Sequence, residues 1–282
     1  GGTRDAALPQ TGPAAGAVGA AAAGKLSGIE NIVTLDMGGT STDVSLIRNG
    51  KTEIANMRDI AGFRIRLPMV DIHTVGAGGG SIAHVGTDGL MKVGPQSAGA
   101  VPGPACYNKG GELPTVSDAN VVLGRLPAAL AGGLTLDTKK AHTAIARIAA
   151  PLGLSVTQTA LGIVGIVTSN MTRAIRAVST EKGHDPRNFT LMPFGGAGGL
   201  HATDVARALG ILQVIIPNAP GILCANGLIE ADLQENFVAT CRAQLGDDLG
   251  NVKAALAALS TQVDSWIADE TDGASTVQKI AS

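Results

Sequence analysis

Apolar and polar positions change their period several times along the 282 residues, and each change marks an expected element. Residues 12–25 read as an Ala-rich helix with Pro13 in its first turn, where the missing N–H has no intrahelical partner to lose, and Gly28 ends it. A short apolar run over 31–35, a Gly-rich segment and a second apolar run over 44–47 predict strand, turn, strand. Asn49-Gly50, a pair suited to a two-residue hairpin, and the alternation over 52–57 extend this into an antiparallel meander. Residues 67–111 are crowded with Gly, Pro and Ser and hold no helical period, so long loops with short strands are expected there. Helical spacing returns at 117–123, at 138–149 and most clearly over 155–181, before Gly183. Strand-like 189–193, helical 198–209, strand-like 212–216 and helical 221–233 then alternate, an order that makes strands parallel. An amphipathic helix is expected over 252–268, with frayed polar residues after it. The fold class is therefore α/β, with antiparallel hairpins leading into parallel βα units and helices on both faces of a mixed sheet.

Composition changes this picture little but narrows function. Hydrophobic residues make up 45% and charged residues 16%, with a mean hydropathy of +0.25, so a large core can be buried in one compact unit. Aromatics at 2% supply no stacking platform for bases, and 21 basic against 23 acidic residues give no footprint for a polyanion. Nucleic acid and an acidic membrane surface are not expected partners. Cys106, Cys224 and Cys241 are odd in number and lack C-x-x-C spacing, which argues against a zinc ribbon and suits a reducing cytoplasm. The Ala- and Gly-rich stretch 14–24 is too short and too weakly apolar for a bilayer and has no basic lead, so neither signal nor membrane span is expected. The start Gly1-Gly2-Thr3, without an initiator Met, leads us to expect an excerpt of a longer chain.

The most informative segment is Asp36-Met37-Gly38-Gly39-Thr40-Ser41-Thr42-Asp43. Small and hydroxylated residues in a turn expose successive backbone N–H groups that can cradle phosphate oxygens, and Asp36 at the strand end can hold magnesium through water. An ordinary hairpin explains the same spacing. Other candidates each have a plainer reading. Asp71 and His73 suit a metal or acid/base pair, or a structural hydrogen bond. His201 and Asp204 can meet on one helix face, or the histidine is satisfied locally. Asp118 after Ser117 is explained by helix capping. Arg173 and Arg176 can reach a phosphate or form a solvated face, and Cys106 has no basic neighbour to activate it. The glycines of Gly76-Ala77-Gly78-Gly79-Gly80 offer amides to an anion, or serve a turn or hinge.

Taken with its flanking strands, the segment from Ile32 to Ile47 resembles the second phosphate motif of the actin and heat-shock chaperone ATPase superfamily. The helix opening Gly12-Pro13-Ala14-Ala15-Gly16-Ala17 resembles its connecting helix, and Phe194-Gly195-Gly196-Ala197-Gly198-Gly199-Leu200-His201-Ala202 its adenosine motif. More narrowly, residues 76–83, 97–107, 117–120, 183–186 and 195–201 resemble the hydantoinase A/oxoprolinase family, so that the likeness covers about residues 12–235. Thr40 departs from the chaperone motif's third Gly, and Gly199 stands where this family commonly has Pro. The family's first phosphate motif, another Asp-Gly-Gly-Thr turn, is absent from the sequence.

The resemblance implies a ribonuclease-H-like, actin-like ATPase lobe: a loose start over 1–11, the lobe over 12–245 and a helical tail over 246–282. It implies ATP and Mg2+ as cofactors, Asp36 as the catalytic and metal residue, Gly38, Gly39, Thr40 and Ser41 at phosphate oxygens, and Gly195, Gly196, Ala197 and Gly198 at adenosine. The implied activity is ATP-dependent opening of a cyclic amide such as hydantoin, N-methylhydantoin or 5-oxoproline, by phosphorylation of the ring carbonyl. Its implied partners are the missing N-terminal lobe and a hydantoinase B-type subunit or domain. An ATP-dependent carboxylase subunit and a non-catalytic nucleotide-binding or docking lobe stay open, and the isolated piece is expected to turn over little.

Overall fold

The computed structural model describes residues 11–55, 58–60, 63–65, 69–130, 132–231, 237–241 and 249–270. The chain divides into two units, Gly1–Ala231 and Asp232–Ser282. In the first, helix α1 (Thr11–Leu26) leads to strands β1 (Ile32–Met37) and β2 (Thr42–Arg48), then β3 (Lys51–Thr52) and the short strands β4 (Ile54–Ala55), β5 (Arg58–Ile60), β6 (Phe63–Ile65) and β7 (Met69–Val70). Strands β8 (Ile72–Val75), β9 (Ser81–Val85) and β10 (Met91–Ser97) follow, then helices α2 (Val116–Val122), α3 (Thr138–Leu152) and α4 (Val156–Val178). Strand β11 (Thr190–Phe194) and helices α5 (Gly198–Leu209) and α6 (Leu223–Glu230) complete the unit, and α7 (Gly250–Glu270) lies in the second.

The main sheet runs β11-β1-β2-β3, with β8 also paired to β2. β1 is parallel to β11 and antiparallel to β2, whose other neighbours β3 and β8 are antiparallel as well, so the sheet is mixed as expected. Strand parity sends side chains to opposite faces. Val33, Leu35, Met37, Val44, Leu46 and Leu191 enter one core with α4 and α5, while Ile32, Ile47, Met192 and Phe194 enter another with α1 and α6. Asp36 shares the parity of Ile32, which turns it to the α6 side. Polar caps hold the helices in register: Ser155 and Gln158 form a reciprocal capping box on α4, and Thr115 and Asp118 form one on α2.

Three expectations are corrected. Residues 212–216 form no strand: one parallel bridge joins Val214 to Leu191 before Pro217 and Pro220 turn the chain away. The helix expected over 221–233 is a 3-10 turn at Pro220–Ile222 followed by the eight-residue α6. The alternation over 52–57 is split between β3 and β4, and its last two residues lie outside the described ones. Among the described residues no single helix is long and apolar enough to cross a membrane.

Candidate functional site

The turn between β1 and β2 is a four-residue loop, because Met37 pairs with Thr42 and Asp36 with Asp43. The Gly38 amide closes it on the Ser41 carbonyl at 3.0 Å. Gly39 and Thr40 are exposed, and among the described residues no hydrogen bond reaches the amides of Gly39, Thr40 and Ser41. Three successive unpaired donors on a tight turn are what an oxyanion needs.

Beside these donors stand two carboxylates, since cross-strand partners project to one side of the sheet. Burial raises the Asp36 carboxyl above the ordinary aspartate range, the Cys224 thiol opposes the rise, and the Asp43 charge adds to it. Cys224 in turn is pushed up to about 12, by burial first and then by the Asp36 charge, which leaves a neutral thiol as donor. Thr74 donates to Asp43. Among the described residues no group of three His, Cys, Asp or Glu side chains forms a closed metal cage. The oxygen-only pair Asp36 and Asp43, whose like charges a cation would relieve, fits magnesium that keeps most of its waters.

The second expected motif reaches the same place. β11 delivers Gly195 to the end of β1, where its amide donates to the Pro220 carbonyl at 3.0 Å and the Ala197 amide donates to the Met37 carbonyl at 2.9 Å. Gly195 has φ +77°, and a Cβ there would lie 2.6 Å from the Met37 carbonyl oxygen and against Asp36. Only glycine accepts both conditions. Ala197 caps α5 without a side-chain bond; the Leu200 amide donates to the Ala197 carbonyl at 3.1 Å, while among the described residues no hydrogen bond reaches the amides of Gly198 and Gly199 beside the turn. The structure thus brings Asp36, Gly38, Gly39, Thr40, Ser41, Gly195, Gly196, Ala197 and Gly198 to one end of the sheet.

The remaining candidates are held by other contacts: among the described residues Asp71 and His73 do not form the expected pair, and His201 meets Asn120, distant in sequence, rather than a local partner. His201 is fully buried, accepts from the Asn120 amide at 3.2 Å, and is driven down to about 4 by burial first, then by Arg125. Asp204 pairs instead with Arg125 at 2.8 Å. Asp71 pairs with Lys182, while His73 is exposed. Asp118 accepts from Thr115 and from the Ala105 and Cys106 amides, and burial beside it raises Cys106 well above the ordinary thiol range. Arg173 bonds Asn170 at 3.0 Å, and Arg176 lines a cavity of about 460 Å³ with His184, Asp185 and Arg187. The 76–80 glycines hold the turn itself: the Gly79 and Gly80 amides donate to the Gly38 and Gly39 carbonyls at 3.0 and 2.6 Å.

Sequence reasoning did not single out Asp43, Cys224 or Ser97. Asp43 was accessible in principle, since a four-residue loop sets it opposite Asp36. No local signal marks Cys224, and Ser97 stands only as the first residue of the family-like segment 97–107; both reach the site through folding.

The chain is similar to known proteins in sequence and in fold. The hydantoinase/oxoprolinase family model matches residues 3–237. Over 224 residues the chain is 46% identical to the caprolactamase subunit alpha of Pseudomonas jessenii, covering 78% of this chain and 32% of that protein. It is 40% identical over 270 residues to the 5-oxoprolinase PfmaA of Pestalotiopsis fici, covering 90% and 21%. The crystal structure of the ATP-dependent caprolactamase from P. jessenii superposes with a TM-score of 0.78 at 40% identity, over 95% of this chain and 40% of that one. The nucleotide-free acetone carboxylase structure superposes with a TM-score of 0.79 at 33% identity, over 92% and 37%. The chain therefore spans well under half the length of these proteins, and it shares with them the α/β lobe expected from its sequence. Matched over most of its length in sequence and in fold, the chain belongs to the hydantoinase/oxoprolinase family.

Proposed function

We propose that this chain is the nucleotide-holding part of an enzyme that uses ATP to open cyclic amides. The observation that carries the proposal is the set of three unpaired amides at Gly39, Thr40 and Ser41 beside Asp36. Gly38 completes the phosphate turn, and the turn of Gly195, Gly196, Ala197 and Gly198 takes the adenosine side. Asp36 and Asp43 hold the hydrated magnesium, which supplies neutralisation of phosphate charge when bound.

An unstrained lactam is a poor electrophile, because its nitrogen shares electrons with the carbonyl. Transfer of the terminal phosphoryl group to the carbonyl oxygen makes a P–O bond there and breaks the one to ADP. Water then adds at the ring carbon, the C–N bond opens to free the amine and leave an acyl phosphate, and a second water displaces phosphate from it to give the carboxylate. This transfer needs little from protein groups beyond placement and charge stabilisation. Asp36 orients water through its carboxylate, and the turn amides hold the phosphate oxygens. Caprolactamase and 5-oxoprolinase among the relatives favour hydantoin, oxoproline or a related lactam as the substrate class.

The carboxylase reading is favoured by the acetone carboxylase superposition. Both readings share the nucleotide chemistry and differ in what traps the phosphorylated intermediate. A docking lobe without catalysis is the third reading. We further propose a cytoplasmic setting and assembly with an N-terminal lobe and a hydantoinase B-type partner, as the word "subunit" in the caprolactamase name suggests. The test is ATP hydrolysis by the full-length protein with its partner, measured with lactams and separately with a ketone plus bicarbonate. Lactam-dependent hydrolysis is expected; bicarbonate-dependent turnover alone would establish the carboxylase, and no turnover with retained Mg-ATP binding would establish the docking lobe.

A further inference from the structure

We propose that Ser97 and the 78–80 glycines are positioning residues that aim the phosphate turn's amides outward, an inference that rests on the nucleotide reading above. The turn is fastened from one side at successive residues. The Gly38 carbonyl accepts from the Gly79 amide at 3.0 Å, and the Gly39 carbonyl accepts from the Gly80 amide at 2.6 Å and from the Ser97 hydroxyl at 3.4 Å. Thr42 Oγ1 donates to the Ala77 carbonyl, which pins the turn where β2 begins.

A trans peptide is planar, with its C=O and N–H on opposite sides. Fixing the Gly38 carbonyl toward the 78–80 loop therefore points the Gly39 N–H away from it. Fixing the Gly39 carbonyl does the same for the Thr40 N–H. These are two of the three unpaired donors of the site. Without the fastening, either peptide could rotate and present a carbonyl dipole to a phosphate oxygen, which is repulsive.

The loop itself is held close enough to act. A Cβ at Gly78 would lie 2.6 Å from the Gly39 carbonyl carbon and from the Thr40 amide nitrogen, so only glycine permits this approach. The Gly78 amide donates to Ser81 Oγ at 2.8 Å, and the Gly79 carbonyl accepts from the Ser117 amide at 2.8 Å. Ser97 is oriented in turn by accepting from the Gly99 amide at 3.1 Å, which leaves its hydroxyl proton for the Gly39 carbonyl. Ser97 sits half-buried at the end of β10, 58 residues from Gly39 in sequence.

The experiment compares Mg-ATP affinity and melting midpoint of the full-length protein with those of Ser97→Ala, Ser97→Thr and Gly78→Ala. Loss of the hydroxyl is expected to weaken Mg-ATP binding about fivefold, the worth of one hydrogen bond, with the ligand-free midpoint unchanged. Ser97→Thr, which keeps the hydroxyl, restores affinity. Gly78→Ala weakens binding by about tenfold or more, because the added carbon displaces the turn. Unchanged affinity in Ser97→Ala overturns the proposal, as does a loss that tracks a lowered midpoint and is not rescued by threonine. Failure of the unsubstituted protein to bind Mg-ATP overturns the nucleotide reading and this proposal together, so the two failures are distinct.

Discussion

The thiol of Cys224 donates to the carboxylate of Asp36 at 3.2 Å, joining residues 188 positions apart. Cys224 lies on α6, and the parity of β1 turns Asp36 toward it. The bond holds Asp36 on the α6 side of the sheet with one oxygen engaged, which leaves the other near Gly195.

Asp36→Asn should separate binding from stability. Burial and the Asp43 charge both penalise the ionised carboxylate in the ligand-free fold, so its removal is expected to raise the ligand-free melting midpoint at neutral pH. The same change should abolish the stabilisation by Mg-ATP, which at about 100 Kd amounts to roughly 2.7 kcal/mol in the unsubstituted protein. Thermal unfolding with and without ligand reads both effects, and a variant that keeps the ligand-induced shift would remove Asp36 from the site.

Gly195 and Gly199 make a matched pair four residues apart. Gly195→Ala forces a side chain into a left-handed backbone and against the Met37 carbonyl, a cost of about 1–2 kcal/mol from backbone strain alone. It should also weaken Mg-ATP binding by displacing Asp36. Gly199 in the first turn of α5 has open space around a Cβ, so Gly199→Ala is expected to be neutral or to stabilise by up to about 1 kcal/mol. Chemical denaturation of both variants checks the contrast.

Asp118 is fully buried and accepts four hydrogen bonds, two of them at 2.7 Å from Thr115 Oγ1 and the Cys106 amide. Asp118→Asn keeps the volume but turns an NH2 group toward these donors. The expected loss is about 2–3 kcal/mol, the cost of leaving buried donors unmet. A calorimetric midpoint lower by roughly 5–10 °C would register it.

His201 should make the fold sensitive to acid. The unfolded imidazole takes up a proton near 6.5, whereas the folded one resists until about 4. Between those values the unfolded chain holds more protons, so stability is retained above pH 6.5 and falls as the pH drops toward 4, by on the order of 3 kcal/mol. Denaturant midpoints measured at intervals from pH 7 to pH 4 should show this slope, and His201→Gln should flatten it.

Elements with strong local signals were legible from the residues alone. The Ala-rich α1, the 3.6-residue period of α4 and the α5 helix after a glycine turn all formed close to their expected bounds. The residue order around Asp36 marked the tight turn with open amides because backbone donors on such a loop depend on small neighbours, a local property. Residues 212–216 misled because an apolar run shows burial preference but not whether a neighbouring strand continues far enough to pair with it.

The sequence by itself determined most of the helices, the β1 and β2 hairpin, the near balance of charge and the tight glycine-rich turn between the two strands. Tertiary structure alone decided what surrounds that turn. Cys224 on Asp36, Gly79 and Gly80 on the turn's carbonyls, and Ser97 behind Gly39 are contacts between segments distant in the chain. A hydrogen bond between such segments leaves no period or spacing in the residues, because it depends on how sheet parity and helix packing bring backbones together, and only the folded chain sets that geometry.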